Sequence, residues 1–348
     1  MSETVCWNGV DDSAVESLGL RTLELVNIAS PSRGEEAIIA HVRDLMPSPP
    51  AYDDDTVLYF PGTVVLAGHY DTVPAQDNLP GRIDDGWVVG LGASDMKGGL
   101  AVMIELARAG VPFGYLYFGR EELPAGESAL PGFFDRHGLE ADLVVMLEPT
   151  DNTIQAGCLG NLNAHLVFRG TSAHSARPWL GDNAIMRAVE ALAPLARLEP
   201  RDVDVEGLRF REVLSVTQIE GGIATNVIPA LAKATLNFRY APDRSPEEAE
   251  ARLRELVDGA GELQLLGNSP PARIAANSPR VQALREAGDF ALEPKQAWTP
   301  VAEFSAHGLD AVNLGPGATR YAHAQDERVS IVELQRTYEA LSRFGATL

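Results

Sequence analysis

Clusters rich in acid and histidine stand where short apolar runs end, and this restricts the fold of the chain more than any other property. Thr63–Ala67 leads into Gly68-His69-Tyr70-Asp71, Tyr115–Phe118 into Arg120-Glu121-Glu122, and Leu143–Leu147 into Glu148-Pro149-Thr150. Short runs of this kind, dense in β-branched or aromatic residues, read as strands buried on both faces. In an open parallel sheet the loops beyond the carboxyl ends of the strands gather at one crevice. Two further clusters, Ser94-Asp95-Met96-Lys97-Gly98-Gly99 and His323-Ala324-Gln325-Asp326-Glu327, carry the same residue types from elsewhere in the chain.

Taken singly, a Glu-Glu pair is ordinary solvated surface, an Asp before Met-Lys-Gly-Gly caps a helix, and a histidine after a strand is structural. A surface origin does not explain why charge follows the apolar runs so regularly. Burying several carboxylates together is costly unless a cation compensates them. His69 and His323 offer neutral imidazoles, while Asp95, Glu122 and Glu148 bring negative charge. One divalent ion leaves that charge undercompensated. Two ions sharing Asp95, each with one His and one Glu, approach neutrality once a hydroxide is included. Imidazole and carboxylate without thiolate suit zinc, and also cobalt or manganese. Asp71, following His69 by two residues, is placed to orient that imidazole. Glu121, beside a ligand, is free to act as general base.

These clusters resemble those of the dinuclear zinc amidohydrolases and metallopeptidases that include aminoacylase, acetylornithine deacetylase, carboxypeptidase G and the desuccinylases, with the similarity strongest to the desuccinylase branch. The resemblance runs from about the His69 strand to the C-terminus. It implies that His69 and Glu148 hold one zinc, Glu122 and His323 the other, that Asp95 bridges them, and that Asp71 and Glu121 take the orienting and base positions. It also implies an α/β fold, a zinc-peptidase-like mixed sheet flanked by helices with an inserted α+β ferredoxin-like lid and dimerisation domain. The implied reaction is hydrolysis of an N-acyl amino acid, with N-succinyl-LL-2,6-diaminopimelate as substrate. Cys158-Leu159 and Thr299-Pro300-Val301-Ala302-Glu303-Phe304 depart from the pattern of such enzymes at substrate contacts. N-acetylornithine, another acyl amino acid or a peptide therefore stay open, as does a scaffold that binds metal without catalysis. Retention of Glu121 beside all five ligands argues against the scaffold.

The middle of the chain reads as the insert. Asn163–Phe168 alternates as a strand, Asn183–Ala196 has helical periodicity, Val213–Ile219 and Lys233–Tyr240 alternate again, Pro246–Val257 is helical and Glu262–Leu266 is a last strand. That β-α-β-β-α-β order is ferredoxin-like. Ser245 and Pro246 give the second helix an N-cap and a first turn. The expected division is a catalytic domain over residues 1–160 and 272–348, with the lid over 161–271. Gly-rich or small-residue turns carry His174 and Asn226, which by the resemblance reach the scissile carbonyl, commonly from the partner of a homodimer. Arg239 matches a position that anchors a substrate carboxylate, although a salt-bridged strand arginine fits the residue nearly as well. His41, His137, His165 and His307 have no second ligand at suitable spacing and receive no role.

At 348 residues the chain exceeds the size of a single core, so two domains are expected. Its N-terminus lacks a basic segment followed by an apolar one, and no apolar run is long enough to span a bilayer. The two cysteines, Cys6 and Cys158, form neither ligand spacing nor disulfide framework, which fits a reducing, cytoplasmic setting. A net charge of -21 repels nucleic acid and anionic membranes, so neither is expected as a partner. Asp53-Asp54-Asp55 reads as a solvated loop.

Overall fold

The computed structural model describes residues 12–348, so Cys6 lies outside the described residues. The chain forms two compact units. The first takes the described residues up to Ala156 together with Ala275–Glu293 and Glu303–Leu348, and the second takes Gly157–Ile274 and Pro294–Ala302.

The first unit is built on a mixed eight-stranded sheet, in the order Tyr52–Asp53, Val57–Phe60, Gly114–Phe118, Val64–His69, Leu143–Met146, Ala311–Asn313, Ile154–Cys158, Leu292–Lys295. The three apolar runs read from sequence are its adjacent central strands. Val64–His69 pairs in parallel with both Gly114–Phe118 and Leu143–Met146, with His69 opposite Phe118 and Ala67 opposite Met146. That register brings three strand ends level, so His69, the turn after Phe118 and Glu148 emerge at one edge. Helix Gly98–Arg108 is buried along nearly its whole length. Its close seat depends on glycine. A Cβ at Gly68 would lie 2.6 Å from Met96 Cε, and one at Gly99 would lie 2.6 Å from the Leu147 carbonyl oxygen.

The acidic run at 53–55 is not a simple solvated loop. Asp54 accepts the Thr56 and Val57 N–H groups, each at 2.8 Å, and the Tyr52 hydroxyl at 2.6 Å, while Arg43 donates twice to Asp53. A short carboxylate closing a turn onto its own backbone is a common alternative to hydration.

The second unit has an antiparallel sheet in the order Arg201–Val205, Leu208–Gly221, Leu231–Tyr240, Gly160–Arg169, Glu262–Ser269. Helices Ala184–Leu195 and Pro246–Leu256 contribute Ala184, Ala188, Ala249 and Leu253 to a core shared with Leu162, Leu166, Leu236 and Phe238 of the sheet. The β-α-β-β-α-β order is present, extended by the hairpin that adds Arg201–Val205. Ser245 caps the second helix through a reciprocal bond with Glu248, and Asn183 caps the first. Among the described residues, no helix is long and apolar enough to cross a membrane.

Candidate metal centre

The first unit brings His69, Asp71, Asp95, Glu121, Glu122, Glu148 and His323 to the edge where its parallel strands end. Asp95 is at the centre. Its Oδ1 lies 3.2 Å from His69 Nε2, which is also 3.8 Å from Glu148 Oε1. Its Oδ2 lies 3.5 Å from His323 Nε2, which is 3.0 Å from Glu122 Oε1. The two oxygens of one carboxylate thus face two separate imidazole–glutamate pairs. Ligand atoms of His69, Asp95 and Glu122 all fall within 4.8 Å of one another, linking the two lobes through Asp95.

Electrostatics follow from this crowding. Burial alone would lower the His69 pKa, but hydrogen bonding to Asp71 and Asp95 raises it well above its ordinary value. Asp95 and Glu122 push His323 up to about 10. Burial would raise Asp95, yet the His323 and His69 contacts hold it below the usual carboxylate range. The carboxylates therefore draw positive charge onto both imidazoles, and divalent cations satisfy the same demand. Oxygen and imidazole donors in this set fit zinc, cobalt or manganese. Glu121 is raised well above the usual range by burial, opposed by His69 and reinforced by Glu148 and Glu122.

Asp71 holds the His69 ring, the Glu121–Glu122 turn and Ser32. The His69 Nδ1 atom lies 3.1 Å from the Asp71 carbonyl oxygen and 3.5 Å from its Oδ1, so main chain and side chain both orient the ring. The Asp71 carboxylate also accepts the Glu121 N–H at 3.0 Å, the Glu122 N–H at 3.1 Å and the Ser32 hydroxyl at 2.7 Å. A second buried acid supports the same turn: Glu35 Oε1 accepts the Arg120 N–H at 3.2 Å. Glu327, also buried, binds the backbone around Asp95, and burial pushes its carboxyl up to about 7. Neither Glu35 nor Glu327 is recognisable from sequence as a support. Glu327 sits in the last acidic cluster, but its partners are main-chain groups more than two hundred residues away.

The remaining candidates belong to the second unit. Strand Ala173–His174 pairs with Val227–Ile228, and Ser175 N–H donates to the Asn226 carbonyl at 2.9 Å, so the two exposed turns carrying His174 and Asn226 are neighbours. His174 Nδ1 accepts the Ala176 N–H at 3.1 Å, which places the ring proton on Nε2 as an outward donor. Arg239 is half-buried on Leu231–Tyr240. Its Nε donates to Asn237 Oδ1 at 2.9 Å, it pairs with no carboxylate among the described residues, and burial lowers its pKa. Cys158 is a buried free thiol, pushed up to about 11 by burial.

The four unassigned histidines have structural neighbours. His41 pairs with Glu24, His165 contacts Thr235, His137 stacks on Phe133 and His307 on Phe134.

Residues 157–262 match the peptidase dimerisation domain of the M20 family. The chain is 37% identical over 341 residues to the DapE protein of Mycobacterium tuberculosis, a provisional succinyl-diaminopimelate desuccinylase, covering 93% of this chain and 96% of that one. It is 35% identical over 356 residues to the succinyl-diaminopimelate desuccinylase of Corynebacterium glutamicum, covering 93% and 94%. Among solved structures, the M20 family metallo-carboxypeptidase of Sulfolobus solfataricus superimposes with a TM-score of 0.76 at 21% identity, covering 97% of this chain and 99% of that one.

Asp71→Asn tests the turn carrying Glu121 and Glu122. The amide has one acceptor oxygen where the carboxylate serves two N–H groups and a hydroxyl, so a loss of about 1–3 kcal/mol in stability is expected by chemical denaturation. An unchanged midpoint would show that these bonds contribute nothing net.

Proposed function

Because this chain belongs to the M20 family of metallopeptidases and shares most of its length with desuccinylases of that family, we propose that it hydrolyses N-succinyl-LL-2,6-diaminopimelate to succinate and LL-diaminopimelate in the cytoplasm, within lysine biosynthesis. The observation that carries this reading is the division of the Asp95 oxygens between His69–Glu148 and His323–Glu122. In this reading His69 and Glu148 would hold one zinc ion, His323 and Glu122 the other, and Asp95 would serve both. Bound zinc supplies Lewis acidity, easing deprotonation of water near neutral pH and polarising an amide carbonyl.

The chain's own groups do the rest. Glu121 takes the proton from the attacking water and returns it to the departing amine; burial raises its pKa, which favours carrying that proton between the two steps. Asp71 keeps the His69 proton on Nδ1, so that Nε2 presents its lone pair to the centre. Within a dimer, His174 of the partner subunit would donate Nε2–H to the developing oxyanion, with Asn226 of the partner subunit beside it. Arg239, which pairs with no carboxylate among the described residues, binds the free carboxylate of the succinyl group. That feature favours a dicarboxylic acyl group over acetyl.

A homodimer through the second unit belongs to the same reading. Residues 213–221 pair on one side with the strand Leu231–Tyr240, and among the described residues their other edge is open. Nearby in sequence or on the adjoining turns, Ile219, Ile223, Trp179 and Leu180 are exposed, Ile223 at 86%. An open strand edge with exposed apolar side chains is a site for pairing with another copy.

Glu121→Gln should lower kcat by about 10²- to 10⁴-fold while zinc content, measured by elemental analysis, stays near that of the unsubstituted protein. Loss of zinc in this variant would make Glu121 a ligand instead of the base. Arg239→Ala should mainly raise KM for the succinylated substrate, by about ten- to a hundred-fold, the equivalent of roughly 1.5–3 kcal/mol. Equal turnover of acetyl and succinyl compounds, with Arg239→Ala silent, would sink the substrate assignment and leave amide hydrolysis standing. Light scattering should give twice the chain mass; a fully active monomer would remove His174 and Asn226 as residues acting from the partner.

A further inference from the structure

Glu327 is 1% exposed and spends both carboxylate oxygens on one distant turn. Oε2 accepts the Gly92 N–H at 2.8 Å, and Oε1 accepts the Ser94 and Asp95 N–H groups at 3.0 and 2.9 Å. The Glu327 carbonyl also accepts the Gly90 N–H at 2.9 Å. The turn needs these acceptors because its backbone is not helical at Asp95, where φ is −124° and ψ 91°. Within it, Ala93 N–H reaches the Gly90 carbonyl and Lys97 N–H the Gly92 carbonyl, whereas the donors of Gly92, Ser94 and Asp95 all go to Glu327.

The same short segment carries His323, whose Nε2 lies 3.5 Å from Asp95 Oδ2. Asp95 is therefore held at both ends by one stretch of chain, its amide by Glu327 and its carboxylate by His323. Rotation of the Asp95 backbone would carry Oδ1 away from His69 or Oδ2 away from His323, since one rigid carboxylate must face both.

We infer that Glu327 is the positioning residue of the shared ligand: by fixing the Asp95 backbone it keeps both carboxylate oxygens aimed at the two imidazole–glutamate pairs, and so sets metal affinity in both lobes. Glu327 touches neither substrate nor metal in this scheme. The inference rests on the metal-centre reading proposed above.

The test compares zinc binding by the full-length protein with Glu327→Gln and Glu327→Asp, using competition against a chromophoric chelator, alongside thermal unfolding of each metal-free protein. Glutamine offers one oxygen to a turn that uses two, and aspartate is too short by a methylene. Outer partners of metal ligands typically govern affinity by about 10- to 100-fold, and a loss of that size is expected for both ions in Glu327→Gln. The cobalt-substituted variant should also show an altered visible spectrum. A residue that merely supports the fold would lower the unfolding midpoint and leave zinc affinity and the cobalt spectrum unchanged; that result overturns the inference. So does failure of both variants to fold, which would assign the carboxylate to the fold at large. No zinc uptake by the unsubstituted protein would overturn the metal-centre reading itself, a result distinct from equal uptake by wild type and variants.

Discussion

Everything at the strand-end edge depends on one carboxylate serving two directions. Asp95 can face His69 and His323 together only if its backbone, its neighbours and both imidazoles are fixed independently. The architecture supplies each restraint from a different source. The parallel register levels His69 with the Glu121–Glu122 turn and Glu148, Asp71 ties that turn to the His69 strand, and Glu327 binds the Asp95 turn from behind. Buried and half-buried acids thus play two parts. Asp95, Glu122 and Glu148 crowd the centre with negative charge, and Asp71, Glu35 and Glu327 use theirs to gather backbone N–H groups.

That second use explains how so many carboxylates can be buried near one another. An acid that accepts two or three main-chain N–H bonds has its charge compensated by dipoles of the chain, while those that face His69 and His323 draw positive charge onto these rings. Asp71 is held below the usual carboxylate range, its burial outweighed by His69, Ser32 and the Glu121 N–H. Glu121, whose surroundings include Glu122, Glu148 and Asp95, is displaced upward. Acids one strand apart are thus displaced in opposite directions, Asp71 by the donors that face it and Glu121 by burial among other carboxylates.

Legibility in the sequence followed the length scale of each interaction. The central strands were readable because Thr63–Ala67, Tyr115–Phe118 and Leu143–Leu147 are apolar on both faces, and the insert because Lys233–Tyr240 alternates and Ser245-Pro246 announces a helix. Arg201–Val205 escaped notice. Its charged residues hide a strand whose existence depends on the turn at Glu206 and Gly207, both at positive φ. Asp54 read as solvent-facing because the sequence does not show the turn that folds the Thr56 and Val57 N–H groups onto it or the approach of Arg136 from 82 residues away. Glu327 was the least accessible, since a carboxylate that binds backbone amides leaves no complementary side chain to recognise.

The position of His323 and Glu327 along the chain has a consequence for the order in which the centre is assembled. His69, Asp95, Glu122 and Glu148 all precede the second unit, whereas His323 and the clamp on Asp95 follow it. At a synthesis rate of about 5–20 residues per second, the stretch from Glu148 to His323 takes roughly 9–35 s to emerge. During that interval the nascent protein holds one imidazole–glutamate pair and an Asp95 turn without its anchor. The insert therefore acts as a delay in time as well as a module in space: the two-lobed centre is a product of the finished chain, closed by its last acidic segment.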